Sequence, residues 1–218
     1  NVAAYDLWAA SYPPVPHNPL MRAEQAALLS LWPDPHGLRA LDLACGSGRY
    51  GLLLEQRGAA RVVGVDRSAQ MLQRAPLACR VRADMADLPF ADAQFDLIVC
   101  GLAVGHVPRL ADWMREMARV LAPGGHLVYS DFHPDAARAG MTRSFTDSQQ
   151  QRHTLLHALH DRAAHAAAMA AAGLTLAACH EVRVGRELSE PFEGSEDFYR
   201  RWDGLALVMV LGARKEVA

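Results

Sequence analysis

Arg39 to Leu54 reads RALDLACGSGRYGLLL, an apolar run that breaks into Gly46-Ser47-Gly48 and then resumes at helical spacing. A strand, a glycine turn and a helix are expected there, since the apolar period changes across a run of small residues. Glycine at such a turn adopts backbone angles closed to other residues and lets a ligand approach the main chain.

The segments to either side repeat the alternation. Strands are expected at 61–65 ending on Asp66, at 79–83 ending on Asp84, at 95–100 and at 126–132. Helices are expected after the cap Ser68 and from Pro108 to Leu121, with Ala122-Pro123-Gly124-Gly125 as a tight turn into the fifth strand. Strands alternating with helices need crossover connections, so the fold class is α/β, a doubly wound parallel sheet with helices on both faces. Residues 133–151 show no clear period and read as a loop or lid. The alanine-rich stretch from Arg152 to Ala172 reads as one long helix ending at Gly173, followed by strands at 174–184 and 205–211. Upstream, Tyr5, Trp8 and Tyr12 form an aromatic stripe at helical spacing, and Asn18-Pro19 opens a helix to Trp32 as cap and first residue.

With 218 residues, 51% of them hydrophobic, the chain is expected to form a single domain with a full core. It divides into a helical cap (1–36), a cofactor-binding core (37–132) and substrate-side segments (133–151 and 185–204). The last of these carries Phe192, Phe198, Tyr199 and Trp202. A net charge of −2 with interspersed signs argues against nucleic acid and anionic membranes as partners and favours a small molecule. The cysteines Cys45, Cys79, Cys100 and Cys179 show neither disulfide nor zinc spacing, so no metal and a reducing cytoplasm are expected. No apolar run has the length of a membrane span, and the N-terminus lacks a signal-peptide layout. A monomer or homodimer is expected.

Gly46, Gly48 and Gly51 complete a GxGxxG, and Asp66 follows Gly46 by 20 positions, the spacing at which a carboxylate takes ribose hydroxyls. Alone, this supports a dinucleotide as well as any other adenosine ligand. Asp42, on the strand before the turn, is expected to face the ligand, where it would repel a pyrophosphate and attract an ammonium or sulfonium. Asp84 adds an acceptor for an adenine amine. Together they ask for S-adenosylmethionine.

LDLACGSGRYG, VVGVDRSAQML, ADMADLPF, FDLIVCGLAVGHV and RVLAPGGHLVYSDFHP resemble, in order and spacing, the class I S-adenosylmethionine-dependent methyltransferases. The similarity is greatest to the small-molecule group that includes the ubiquinone and menaquinone biosynthesis enzymes, whose N-terminal YDxxAxxY element YDLWAASY resembles. The resemblance runs from Tyr5 to Gly173 and implies a Rossmann-like, mostly parallel seven-stranded sheet with an antiparallel last strand beside strand five. It implies that Gly46 and Gly48 let the backbone meet the methionine moiety and that Asp66 holds the ribose. Asp84 and the backbone of Met85 would read adenine, while the main chain at Cys100 and Gly101 accepts from the amino group. Tyr5 and Tyr12 would close over the cofactor, with Tyr12 or Arg49 near its carboxylate. Ala44, Arg67 and Met71 complete the implied cofactor wall.

The sulfonium already makes the methyl group electrophilic, so a base is optional. His106, His133 and His157 are the candidate catalytic bases, and His153, His157 and His160 would share a face of the long helix. Cys100-Gly101-Leu102-Ala103 departs from the Asn/Asp-Pro-Pro-Tyr element that holds amide and nucleobase nitrogens. This leaves an O, C or N atom of a small organic acceptor, aromatic or quinone-like. The alternatives are a protein that binds the cofactor without transferring methyl groups and an NAD-dependent dehydrogenase.

Overall fold

The computed structural model describes residues 2–147, 151–188 and 196–217. Its strands are β1 (Arg39–Leu43), β2 (Arg61–Asp66), β3 (Cys79–Arg82), β4 (Phe95–Cys100), β5 (Leu121–Phe132), β6 (Ser144–Thr146), β7 (Arg152–Thr154), β8 (Leu174–Arg183) and β9 (Ala206–Lys215). The helices are α1 (Val2–Trp8), α2 (Pro19–Ser30), α3 (Arg49–Gln56), α4 (Ala69–Arg74), α5 (Leu110–Val120), α6 (Pro134–Arg138), α7 (Arg162–Ala171) and α8 (Glu196–Trp202).

Seven strands form one sheet in the order β3-β2-β1-β4-β5-β9-β8, and β6 and β7 form a separate pair. The pairs among β1 to β5 are all parallel, and β9 runs antiparallel to both β5 and β8. This is the expected mostly parallel sheet with an antiparallel last strand beside strand five. The order reverses between β1 and β4, and such a switch point opens a crevice at the carboxyl ends of the strands.

The sheet is buried on both faces because alternate residues serve different layers. Leu41, Ile98 and Tyr129 pack with Trp113, Met114 and Met117 of α5 on one side. Ala40, Val99 and Val128 pack with Leu28 of α2 and Leu54 of α3 on the other. In α5 the buried residues include Leu110, Trp113, Met114 and Met117, the i, i+3, i+4, i+7 pattern of a one-sided helix, together with Ala118 and Val120. Each fully buried Met contributes about 1.5–3 kcal/mol. Helix starts follow the sequence: the side chains of Asn18 and Ser68 accept from Met21 N at 2.9 Å and Met71 N at 3.1 Å.

Three expectations are corrected. The long helix from Arg152 does not form: β7 pairs with β6, and α7 starts only after Asp161, whose carboxylate accepts from Ala164 N at 2.8 Å. Between them the chain is held non-helical by Ala158 N donating to Gly105 O at 2.7 Å and His160 Nε2 meeting Val107 O at 2.8 Å. His153, His157 and His160 therefore share no helix face. The fifth strand begins at Leu121, and pairing jumps from Phe95–Leu121 to Leu97–His126, so the Pro-Gly-Gly turn is a bulge within the strand. Residues 133–147 include α6 and β6, short elements without a period long enough to read. Phe192 lies outside the described residues. No described helix is long and apolar enough to cross a membrane.

Candidate functional site

At the switch point a cavity of about 890 Å³ opens over the ends of β1, β2 and β4, roofed by α1 and the turn after it. Two of its wall residues are non-glycines in the left-handed region, Ala44 (φ 53°) at the end of β1 and Leu102 (φ 53°) past β4. Such conformations cost about 1–3 kcal/mol each and persist where surrounding structure holds them. Leu102 is held by its own N–H, which donates to Ser130 Oγ at 2.8 Å.

The glycine turn and Asp66 form one end of the cavity. Gly46 (φ 54°) lies on the wall, and a Cβ added there would come within 3.7 Å of the Tyr12 ring and 3.9 Å of Met71 Sδ, occupying space a ligand can use. Gly46 N donates to Asp66 Oδ2 at 2.8 Å and Ser68 N to Oδ1 at 2.8 Å. The Arg67 N–H also reaches the carboxylate, which still keeps accepting capacity for a hydroxyl. Burial raises the Asp66 carboxyl above its usual range, and the neighbouring backbone N–H groups oppose that shift. Tyr5, Tyr12, Ala44, Arg49, Arg67, Met71, Met85 and Gly101 all reach the wall as well. Tyr12 is buried deeply enough that its hydroxyl is pushed up to about 12 and stays neutral.

Four residues expected at the cofactor lie off the cavity wall. Asp42 is 1% exposed and lies off the cavity wall, its Oδ2 accepting from Gly51 N at 2.6 Å. Pleating turns it beneath the turn, toward α3, so it ties the turn to the helix and does not face a ligand. Gly48 (φ 90°) caps α3 and packs against Ala75 and Leu77, away from the cavity. The Asp84 carboxylate is half exposed, bonds Arg67 at 3.2 Å and accepts from Ala86 N at 3.0 Å, off the wall. Cys100 is fully buried beneath Gly101.

Of the three candidate bases only His106 reaches the cavity. Its Nε2 lies 2.8 Å from the Tyr5 hydroxyl and its Nδ1 3.3 Å from Leu156 O. A carbonyl can only accept, so Nδ1 carries the proton and Nε2 receives the Tyr5 O–H. Burial, reinforced by the charge of Arg143, lowers the imidazole to about 4. His133 instead caps α6, its Nδ1 accepting from Asp135 N at 3.1 Å. His157 packs edge-on behind Phe132, with ring centroids 5.1 Å apart.

The sequence reading missed the buried hub beneath the cavity. Glu24, fully buried, accepts from Arg49 Nη2 at 2.9 Å, Tyr50 OH at 2.6 Å and Ser130 Oγ at 2.6 Å. It joins α2, α3 and β5, and through Ser130 it supports strained Leu102. The signal was present: Met21, Glu24, Ala27 and Leu28 are the buried residues of α2, and a carboxylate at such a position needs partners. Arg143 and the Ser68 Oγ–Asp6 Oδ1 contact of 2.5 Å, which ties α1 to the site, were also missed.

Residues 41–129 match a family model described as a methyltransferase domain. The chain is 36% identical over 124 residues to a malonyl-[acyl-carrier protein] O-methyltransferase of Enterobacter lignolyticus, covering 55% of this chain and 49% of that protein. It is 38% identical over 109 residues to a 2-phytyl-1,4-naphtoquinone methyltransferase of Nostoc punctiforme, covering 44% and 47%. The chain thus spans about half the length of the curated relatives it matches. A crystal structure of an S-adenosylmethionine-dependent methyltransferase from Mesorhizobium loti superposes with a TM-score of 0.71 at 24% identity, over 88% of this chain and 98% of that one, which establishes the shared fold. Residues 41–129 thus match the methyltransferase-domain model, within a sheet whose fold the chain shares with a solved methyltransferase.

Proposed function

We propose that this protein transfers the methyl group of S-adenosylmethionine to an O, C or N atom of a small organic acceptor with an aromatic or quinone-like body. The observation that carries the reading is a single cavity of about 890 Å³ with the Gly46–Asp66 end and the Tyr5–His106 pair on the same wall. Small-ligand pockets run to about 300–1,000 Å³, so this volume lies at the upper end and leaves room for a small acceptor beside a cofactor. Leu155, Phe198 and Trp202 supply the apolar end that suits such an acceptor.

The residues fit the cofactor: Asp66 would take the ribose hydroxyls, Gly46 and Gly101 would leave the main chain open to the methionine moiety, and Met71 and Met85 would flank the base. Bound there, S-adenosylmethionine supplies a methyl group made electrophilic by its sulfonium. The protein orients the acceptor in line and excludes water, which contributes on the order of 7–11 kcal/mol in favourable cases. Tyr5 and Trp8 close the roof, so the described residues of 1–36 act as a cap, with the described parts of 133–151 and 185–204 on the acceptor side. His106, neutral at physiological pH, takes the acceptor's proton through the Tyr5 hydroxyl. We further infer a cytoplasmic monomer or homodimer without a nucleic-acid partner, a reading supported by the dispersed cysteines and the near-neutral charge.

Calorimetry with S-adenosylmethionine, S-adenosylhomocysteine and NAD tests the first step, with binding expected for the two sulfur ligands alone. Transfer of labelled methyl into a metabolite extract tests the second. Binding without any labelled product overturns the proposal.

A further inference from the structure

The cations on the cavity wall differ in how they are satisfied. Arg49 is paired with Glu24 at 2.9 Å, and Arg67 with Asp84 at 3.2 Å. Arg152 donates from Nε to Ser144 Oγ at 3.0 Å. Arg143, in the segment between α6 and β6, hydrogen-bonds the Tyr5 side chain, yet its Nη1 is shielded from solvent and has no hydrogen-bond partner among the described residues. Among the described residues no carboxylate pairs with it, and the one carboxylate on the wall, Asp66, is already engaged by Gly46 and Ser68. The Arg143 charge opposes the upward shift that burial gives Tyr5 and Tyr12 and reinforces the downward shift of His106.

A buried guanidinium edge without an acceptor is costly, and an anion entering the cavity would relieve that cost. The planar fork of arginine matches a carboxylate with two parallel N–H···O bonds, which a lysine cannot reproduce. The surroundings are apolar and aromatic: Trp8 stacks on Phe145, two residues from Arg143, at 4.5 Å, and Met141 and Leu155 share the wall. We propose that the acceptor carries a carboxylate on an apolar or aromatic body, and that Arg143 binds it beside the Tyr5–His106 pair. The inference rests on the methyltransferase reading, and it narrows the acceptor to organic acids.

The test is calorimetry on the full chain saturated with S-adenosylhomocysteine, titrating 2-naphthoate and trans-cinnamate against the matching amides, 2-naphthamide and cinnamamide. At least one acid is expected to bind about tenfold or more tightly than its amide, the order expected of a charge-assisted pair. Arg143→Gln should bring acid and amide close to equality, and Arg143→Lys should retain part of the preference. Affinity for S-adenosylhomocysteine should change little in either variant. Absence of an acid preference, or a preference that survives Arg143→Gln, overturns the inference. So does a large loss of S-adenosylhomocysteine affinity in Arg143→Gln, which would assign the guanidinium to the cofactor's own carboxylate. Failure of the unmodified protein to bind S-adenosylhomocysteine at all would instead overturn the underlying methyltransferase reading.

Discussion

The Tyr5 hydroxyl lies 2.8 Å from Nε2 of His106, 101 residues away in the chain, and the contact joins the N-terminal roof of the cavity to the end of its central strands. With Nδ1 turned to Leu156 O, the imidazole has a fixed orientation, and burial keeps it unprotonated down to about pH 4. His106→Ala is therefore expected to lower turnover by about 10²–10⁴-fold, the usual span for general base catalysis, while affinity for S-adenosylhomocysteine is retained. Tyr5→Phe should fall between the two. A base is active only when neutral, so kcat/KM should hold steady through neutral pH and drop as pH falls toward about 4. An inflection near the ordinary histidine value would show that His106 is not the group titrating.

Asp66 offers a half-buried carboxylate with accepting capacity left at the glycine turn. Asp66→Asn keeps the shape but removes the charge. Charge-assisted hydrogen bonds contribute about 1.5–3 kcal/mol, so calorimetry should show roughly a tenfold to hundredfold weaker binding of S-adenosylhomocysteine. Unchanged affinity would remove Asp66 from the ribose site.

Glu24 is the hub that balances Arg49 in the interior, and both side chains are almost wholly buried. Glu24→Gln leaves the guanidinium unpaired, which should cost about 3–5 kcal/mol in urea unfolding. Adding Arg49→Met to that variant should recover part of the loss, because the uncompensated charge is then gone. Additive losses in the double variant would show that the two side chains are not coupled.

Asp42 is raised to about 7 by burial, against an ordinary value of 3.8 in the unfolded chain. Between those values the folded protein holds a proton that the unfolded chain releases. The stability from this group is therefore complete below about pH 4 and is lost as pH rises through about 7. In thermal melts across that window, Asp42→Asn should show a flatter dependence on pH than the unsubstituted protein. Parallel curves would place the Asp42 carboxyl in its ordinary range.

Much of the fold was legible because its determinants are local. The apolar runs at Arg61–Asp66 and Phe95–Cys100, the caps Asn18 and Ser68 and the glycine turn each act within a few residues, and each appears where expected. The stretch from Arg152 to Ala172 was misread because alanine favours a helix throughout. The tertiary hydrogen bonds of Ala158 and His160 to Gly105 and Val107, in the segment after β4, override that preference before Asp161.

The amino-acid sequence by itself determined the strand–turn–helix unit, the parallel α/β order and the match of residues 41–129 to a methyltransferase domain. Only the tertiary structure decided which acidic and basic groups meet the ligand space. Asp42 and Asp66 both sit on strands flanking the same turn, yet one is buried against α3 and the other lines the cavity. The cofactor assignment therefore rests on the motifs together and no longer on the charge of Asp42. The meeting of Tyr5 with His106 and with Arg143 arises from segments far apart in the chain. Which face of a pleated strand a side chain occupies, and what a distant segment brings to it, depends on packing that no local pattern encodes.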